Sequence, residues 1–204
     1  MNNPSDLHVT AETGDALIVV DVQNDFLPGG ALGVKEGDKI IAPVNQVIRV
    51  FLTQKLPILY SRDWHPADHS SFARNGGPWP PHCVQGTEGA TFSPALKMPP
   101  DPLIFSKGTH VEKEEYSAFQ GRDSTGRSMA EALSKFGVKR VLIGGLATDY
   151  CVLNTVQDLL KAGFRVIVLT DACRAVDVSP GDGENALVEM IAEGATIATA
   201  KAVG

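Results

Sequence analysis

Six short apolar runs punctuate the chain, each bounded by polar or turn-forming residues. They are Ala16–Asp21, Pro57–Arg62, Pro102–Lys107, Arg140–Gly145, Arg165–Thr170 and Ala195–Ala198. Most are continuous rather than alternating, which is the pattern of parallel strands covered on both faces. Between them lie stripes at helical spacing. Ile40, Val44, Val47, Ile48 and Phe51 form one, Val152, Val156, Leu159 and Leu160 a second, Ala186, Leu187, Met190 and Ile191 a third. Met129–Phe136 reads as a shorter helix. This alternation predicts an α/β fold with a doubly wound, mainly parallel six-stranded sheet and helices on both faces. The length suits one domain over residues 1–204, with a core spanning about 16–200.

One stretch breaks the alternation. Residues 63–101 show little periodicity, are rich in Pro and Gly, and hold three of the five histidines. A long irregular stretch inside a compact domain is usually functional. Open parallel sheets bind ligands outside the carboxyl ends of their strands. Here the first strand ends in Asp21, the second leads into Asp63 and His65, the third ends in Lys107, and the fourth runs toward Cys151.

These residue types can do chemistry. Cys151 follows GGLATDY and precedes a helical stripe, so it is expected in the first helical turn. There the dipole and free N–H groups lower a thiol pKa and can hold an oxyanion. The alternative is a small buried hydrophobe. Asp21, in DVQNDF, can take a thiol proton and return it to a leaving amine. Asp25 reads as a turn-capping residue. Lys107, in FSKG, can hold a thiolate or a carboxylate, or simply be an exposed strand-end lysine. Asp63 and His65 are one residue apart, so an extended backbone points both the same way. With His82, and His69 between, they form a mixed O/N donor set suited to zinc, iron or manganese with open positions. Phe26 and Trp79 flank these clusters and can wall a pocket for a flat ring, or pack as ordinary core. Cys83 and Cys173 read as packed residues, and His8 and His110 have no evident partners.

Composition narrows the partners. A net charge of −6 carries no basic stripe, so no nucleic-acid partner is expected. Three cysteines in a chain this long argue against a disulfide framework and for a reducing compartment. The stretch Met1–Gly14 is polar, without the apolar segment of a secretory leader. No apolar run approaches the roughly 20 residues of a membrane span. The expectation is a soluble cytoplasmic protein with no membrane partner.

Five segments together resemble the nicotinamidases of the isochorismatase-like hydrolase superfamily. They are DVQNDF at Asp21–Phe26, RDWHPADH at Arg62–His69, WPPHCVQGT at Trp79–Thr87, FSKGT at Phe105–Thr109 and GGLATDYCV at Gly144–Val152. The match runs in order from about Ala16 to Ala198. The Asp, Lys and Cys positions belong to the whole superfamily, whereas DWH and WPxHC mark the nicotinamidase branch. The resemblance implies hydrolysis of nicotinamide, and of its analogue pyrazinamide, through a cysteine thioester. It implies a catalytic triad of Asp21, Lys107 and Cys151. The metal ligands become Asp63, His65 and His82 on one divalent ion, zinc first, then iron or manganese. His69 is a ligand in some relatives and not in others. It also implies a cis peptide between Leu146 and Ala147, an oxyanion hole from the N–H groups of Ala147 and Cys151, and ring contacts from Phe26 and Trp79. Lys107 to Tyr116 is slightly longer than in shorter relatives, which touches the pocket rim. The resemblance admits a homo-oligomer. The rival readings are another hydrolase of the superfamily, which would not need the metal cluster, and a non-catalytic metal-binding protein on this fold.

Overall fold

The computed structural model describes residues 8–204. Residues 1–7, which open the polar N-terminal stretch and the 1–204 domain span, lie outside the described residues. Six strands form a single sheet: β1 Asp15–Val20, β2 Ile58–Asp63, β3 Leu103–Lys107, β4 Arg140–Leu146, β5 Arg165–Arg174 and β6 Thr196–Ala198. Their order is β3-β2-β1-β4-β5-β6, and every pairing is parallel. All six expected strands are present. The helices are α1 Ile41–Thr53, α2 Met129–Lys135, α3 Leu153–Lys161 and α4 Asp182–Ala192.

The continuous apolar runs are explained by two cores, one on each face. Leu17 and Val19 of β1 pack with Val44, Val47, Ile48 and Phe51 of α1. Their neighbours Ala16, Ile18 and Val20 point the other way, against Met129 and Leu133 of α2, Val156 and Leu159 of α3 and Met190 of α4. Every residue of β1 is therefore buried, and no polar face remains to produce alternation. Ser128 starts α2 with a capping box: its hydroxyl accepts from Glu131 N–H, and the Glu131 carboxylate accepts from Ser128 N–H.

Two elements differ from the sequence expectation. β5 runs to Arg174 rather than stopping at Thr170. Its pairing with β4 shifts between Ile143↔Val168 and Gly145↔Cys173, so a bulge absorbs the extra residues of β5. Gly145 makes the close approach possible. Its φ is +138°, and a Cβ there would lie 2.0 Å from the Val20 carbonyl oxygen. The second difference concerns Cys151. It lies in a π-helical turn, Thr148–Val152, that precedes α3 instead of in the first turn of α3 itself.

The sheet order reverses between β1 and β4, and the crevice of such a sheet lies at the carboxyl ends there. The irregular 63–101 stretch folds over those ends. It is tied down by isolated bridges pairing His65 with Val84, Phe72 with Trp79, and Phe92 with Gln23. No helix is long and apolar enough to cross a membrane among the described residues.

Candidate active site

Register places the first pair. Asp63 and Lys107 are direct neighbours at the ends of β2 and β3. Val20, the last residue of β1, is paired with Ser61 on one side and Gly145 on the other, so Asp21 enters the crevice between the two halves of the sheet. Asp21 has φ +49°, a left-handed conformation that turns the chain sharply at the strand end. The π-turn after β4 then brings Cys151 over the same spot.

Lys107 is the hub of what results. It is fully buried, and its ammonium lies 2.9 Å from Asp21 Oδ2, donates to Asp63 Oδ1, and donates to Cys151 Sγ at 3.3 Å. It is not an exposed strand-end lysine. Burial alone would pull its pKa down, but the two carboxylates outweigh burial and hold it well above the ordinary value. The same contacts act on Asp63: burial would raise it, yet Lys107 and the adjacent histidines hold it below the carboxylate range.

Asp21 goes the other way. Burial raises its pKa, and the opposing pull of Lys107 does not cancel that. Ser61 Oγ donates to Asp21 Oδ1 at 2.7 Å, while Asp21 Oδ2 has no hydrogen-bond partner. That oxygen lies 2.9 Å from the Lys107 ammonium. One carboxylate oxygen each of Asp21 and Asp63 and the sulfur of Cys151 lie within 4.8 Å of one another.

The thiol corrects an expectation. Burial pushes Cys151 well above the ordinary cysteine value, and the pull of Lys107 does not overcome it. The position at a helix entry predicted a depressed pKa. The cluster already holds two carboxylates against one ammonium, so losing a further proton to solvent would leave excess negative charge in a dry site. Burial also raises the other two thiols, Cys173 to about 12, and both are buried in the core clusters.

The second cluster sits beside the first. Asp63 Oδ2 faces His65 Nε2 at 3.5 Å and His82 Nε2 at 3.9 Å. Each histidine is oriented by its other nitrogen. His65 Nδ1 donates to the Gly108 carbonyl at 2.9 Å, and His82 Nδ1 donates to the Pro80 carbonyl at 2.8 Å. A carbonyl oxygen only accepts, so both Nδ1 atoms carry a proton, and Nε2 is the atom each ring turns toward the carboxylate. Two imidazoles and a carboxylate within 4.8 Å fit a divalent metal with open positions.

His69 does not join this set. Its ring lies 4.2 Å from that of His65, centroid to centroid. Its Nε2 faces the Lys113 carbonyl at 3.2 Å and its Nδ1 meets Ser71 Oγ at 2.7 Å. Nε2 must donate and Nδ1 accepts from the hydroxyl, so neither nitrogen offers a free lone pair.

A narrow slot of about 30 Å³ connects the two clusters. Phe26, Trp79, Asp63, His82, Ala147 and Cys151 all line it. The Leu146–Ala147 peptide is cis. Glu114, Tyr116 and Tyr150 line the slot too, and the sequence reading did not single them out. Tyr116 accepts from Trp79 Nε1 at 3.1 Å, and the Tyr150 ring stands edge-on to Trp79 at 5.0 Å. Gln23 was also missed. Its buried amide donates to the Asp63 and Ala90 carbonyls and accepts from Asp63 N–H at 2.8 Å, fixing the end of β2 to the chain after β1. DVQNDF contains the glutamine, but partners about 40 to 67 residues away leave no local mark on it. Asp25 caps as expected, accepting from Cys83 N–H at 2.7 Å and Ala31 N–H at 3.2 Å.

The chain is similar to known proteins over most of its length. The nicotinamidase of Escherichia coli is 40% identical over 201 residues, covering 90% of this chain and 94% of that protein. The nicotinamidase of Acinetobacter baylyi is 44% identical over 196 residues, covering 88% and 89%. The crystal structure of Pyrococcus horikoshii pyrazinamidase in complex with zinc superposes with a TM-score of 0.84 at 50% identity, covering 91% of this chain and 99% of that one. The isochorismatase domain model matches residues 15–202, and the chain belongs to the isochorismatase family.

Proposed function

We propose that this protein is a nicotinamidase, a hydrolase that converts nicotinamide to nicotinate and ammonia and also accepts pyrazinamide. The observation that carries this reading is the buried Lys107 ammonium, which touches Asp21, Asp63 and the Cys151 sulfur at once. One lysine thus joins a nucleophile, a base and the carboxylate of a metal-type donor set. The metal reading favours this branch over superfamily hydrolases that need none, and the nicotinamidase relatives support it further.

The residue roles follow from the electrostatics. The site resists losing a proton but can move one inside. Asp21 Oδ2 takes the Cys151 proton, which leaves the cluster's charge unchanged and sets the thiolate beside the Lys107 ammonium. The thiolate attacks the carboxamide carbon, and the carbonyl electron pair moves to oxygen. The N–H groups of Ala147 and Cys151 receive that oxyanion. The tetrahedral centre collapses, the C–N bond breaks, and the Asp21 proton leaves with ammonia. Asp21 then deprotonates a water that attacks the thioester. The C–S bond breaks, nicotinate forms, and the proton returns to the sulfur. Asp63, His65 and His82 would hold the metal, with zinc favoured by the donor set and by the zinc-bound Pyrococcus relative. When bound, the metal supplies a Lewis-acid anchor for the ring nitrogen. Phe26 and Trp79 flank the ring.

Ammonia release from nicotinamide by the zinc-loaded protein tests the reading. Stoichiometric nicotinate and ammonia are expected. Absence of turnover in protein shown to contain metal would overturn it.

A further inference from the structure

A second cavity takes no part in this reaction. It measures about 630 Å³ and lies along the outer edge of the sheet, beside β3. Three guanidinium groups line it: Arg62 from β2, Arg122 from the segment bridged to Ser106 of β3, and Arg127. Arg62 is half-buried. Its Nε donates to Ser106 Oγ at 2.9 Å, and its guanidinium carbon lies 3.8 Å from the Trp64 ring centroid. Arg122 donates one Nη to the Gly126 carbonyl at 2.9 Å. Neither Arg62 nor Arg122 pairs with a carboxylate among the described residues.

Two acids of the cavity are paired with cations of its own lining. Asp123 pairs with Arg127 at 2.8 Å, and Glu115 pairs with Lys113 at 2.6 Å. Asp101 is left to face two unpaired arginines. The surplus is therefore positive, in a chain of net charge −6. Arg62, half-buried without a counter-ion, carries a desolvation cost that an anion relieves, and exposed Arg122 adds a second guanidinium to the same lining. A guanidinium presents its donors as a planar fork that suits a tetrahedral oxyanion, and the volume falls in the range of small-molecule sites.

One segment is shared with the active site. Lys113 and Glu115 face this cavity, while Glu114 between them faces the slot. The Lys113 carbonyl holds His69. The Glu115 carboxylate accepts from Gly108 N–H, and the Gly108 carbonyl holds the metal-type ligand His65. A ligand that draws Lys113 away from Glu115 acts directly on these contacts.

We propose that this cavity is a second ligand site, for a small phosphate-bearing anion, and that its occupancy alters substrate binding through residues 109–115. The binding half stands independently of the reaction assigned above, and only the kinetic half rests on it. Inorganic phosphate is the probe, titrated calorimetrically into the metal-loaded protein at low and high salt. Saturable binding that weakens with salt is expected. Arg122→Ala and Arg62→Gln should each weaken it about tenfold or more, the worth of a charge-assisted contact. Arg122→Ala should keep basal nicotinamide turnover. The KM for nicotinamide should shift with phosphate in the wild type and stay fixed in Arg122→Ala. No saturable binding at millimolar phosphate, or equal affinity in wild type and both variants, would overturn the site. A KM that ignores phosphate while binding persists would overturn the coupling. Protein that binds phosphate but releases no ammonia leaves the site standing and sinks the reaction instead.

Discussion

Lys107 concentrates the electrostatics of the active site on one nitrogen. It pulls both carboxylates down, yet the two behave oppositely: Asp63, with His65 and His82 beside it, is held low, while at Asp21 burial outweighs Lys107 and holds it high. A raised, half-satisfied carboxylate is a proton acceptor matched to a reluctant thiol. Cys151→Ala removes the nucleophile and leaves the slot's walls in place. Nicotinamide should still bind, and ammonia release should fall by several orders of magnitude. Equilibrium dialysis with single-turnover kinetics separates the two. A wild-type rate in the variant would end the covalent mechanism. The residue types were legible in the sequence, because reactive side chains at the ends of apolar runs converge in a parallel sheet. The sign of the thiol shift was not. Sequence placed Cys151 near a helix entry, but the depth of burial that dominates its pKa depends on contacts from β1, β2 and β3. His69 illustrates the same limit, since the carbonyl that occupies its Nε2 comes from Lys113.

At the scale of elements, the strands were legible because burial on both faces leaves continuous apolar runs. The extension of β5 was hidden because its last residues pair with a glycine segment across a bulge and include polar Asp171 and Arg174. Glycines at strand ends carry part of the site's construction. Gly108 follows β3 with φ +60°, and a Cβ there would lie 2.4 Å from the His65 ring. Gly108→Ala should displace His65, and metal content by elemental analysis should fall about tenfold or more, the usual effect of disturbing a ligand's orienting contact. Unchanged stoichiometric metal would show that His65 is not held from Gly108. The turn leading into α2 gives a pH prediction. Asp123 accepts from the Thr125 hydroxyl at 2.6 Å, from Thr125 and Arg127 N–H, and from the Arg127 side chain. These bonds, the Thr125 hydroxyl foremost, bring its carboxyl down from 3.8 to about 2. A depressed carboxyl stabilises the fold above its unfolded pKa, and that contribution is lost as pH falls through the folded value. Asp123→Asn should therefore be less stable than wild type near neutrality, and the gap should close between about pH 4 and pH 2. Urea midpoints across that range provide the measurement, and a gap independent of pH would contradict the assignment.

The whole molecule sets two chemistries on opposite halves of one sheet. Asp63 and Lys107 come from β2 and β3, Cys151 and Ala147 follow β4, and Asp21 stands between them at the switch in strand order. A substrate that satisfies both halves must be flat enough for the slot between Phe26 and Trp79. It must also carry two polar ends, a ring nitrogen for the metal side and a carboxamide for the thiol side. Benzamide has the shape and the carboxamide but lacks the nitrogen, so it leaves the metal side unpaired. Sites built around a polar contact reject analogues lacking it by about 10⁴-fold. Pyrazinamide keeps a nitrogen at the corresponding position. In the metal-loaded protein, kcat/KM should thus be comparable for nicotinamide and pyrazinamide and lower by roughly that factor for benzamide. Prolonged chelation should abolish turnover of the two good substrates, and zinc should restore it. If the metal only braced the fold, benzamide and nicotinamide would be turned over alike, and chelation would lower the urea midpoint and all three activities together. Ammonia assays at equal amide concentrations, run beside unfolding curves of chelated and reloaded protein, distinguish an anchor for the ring from a structural ion.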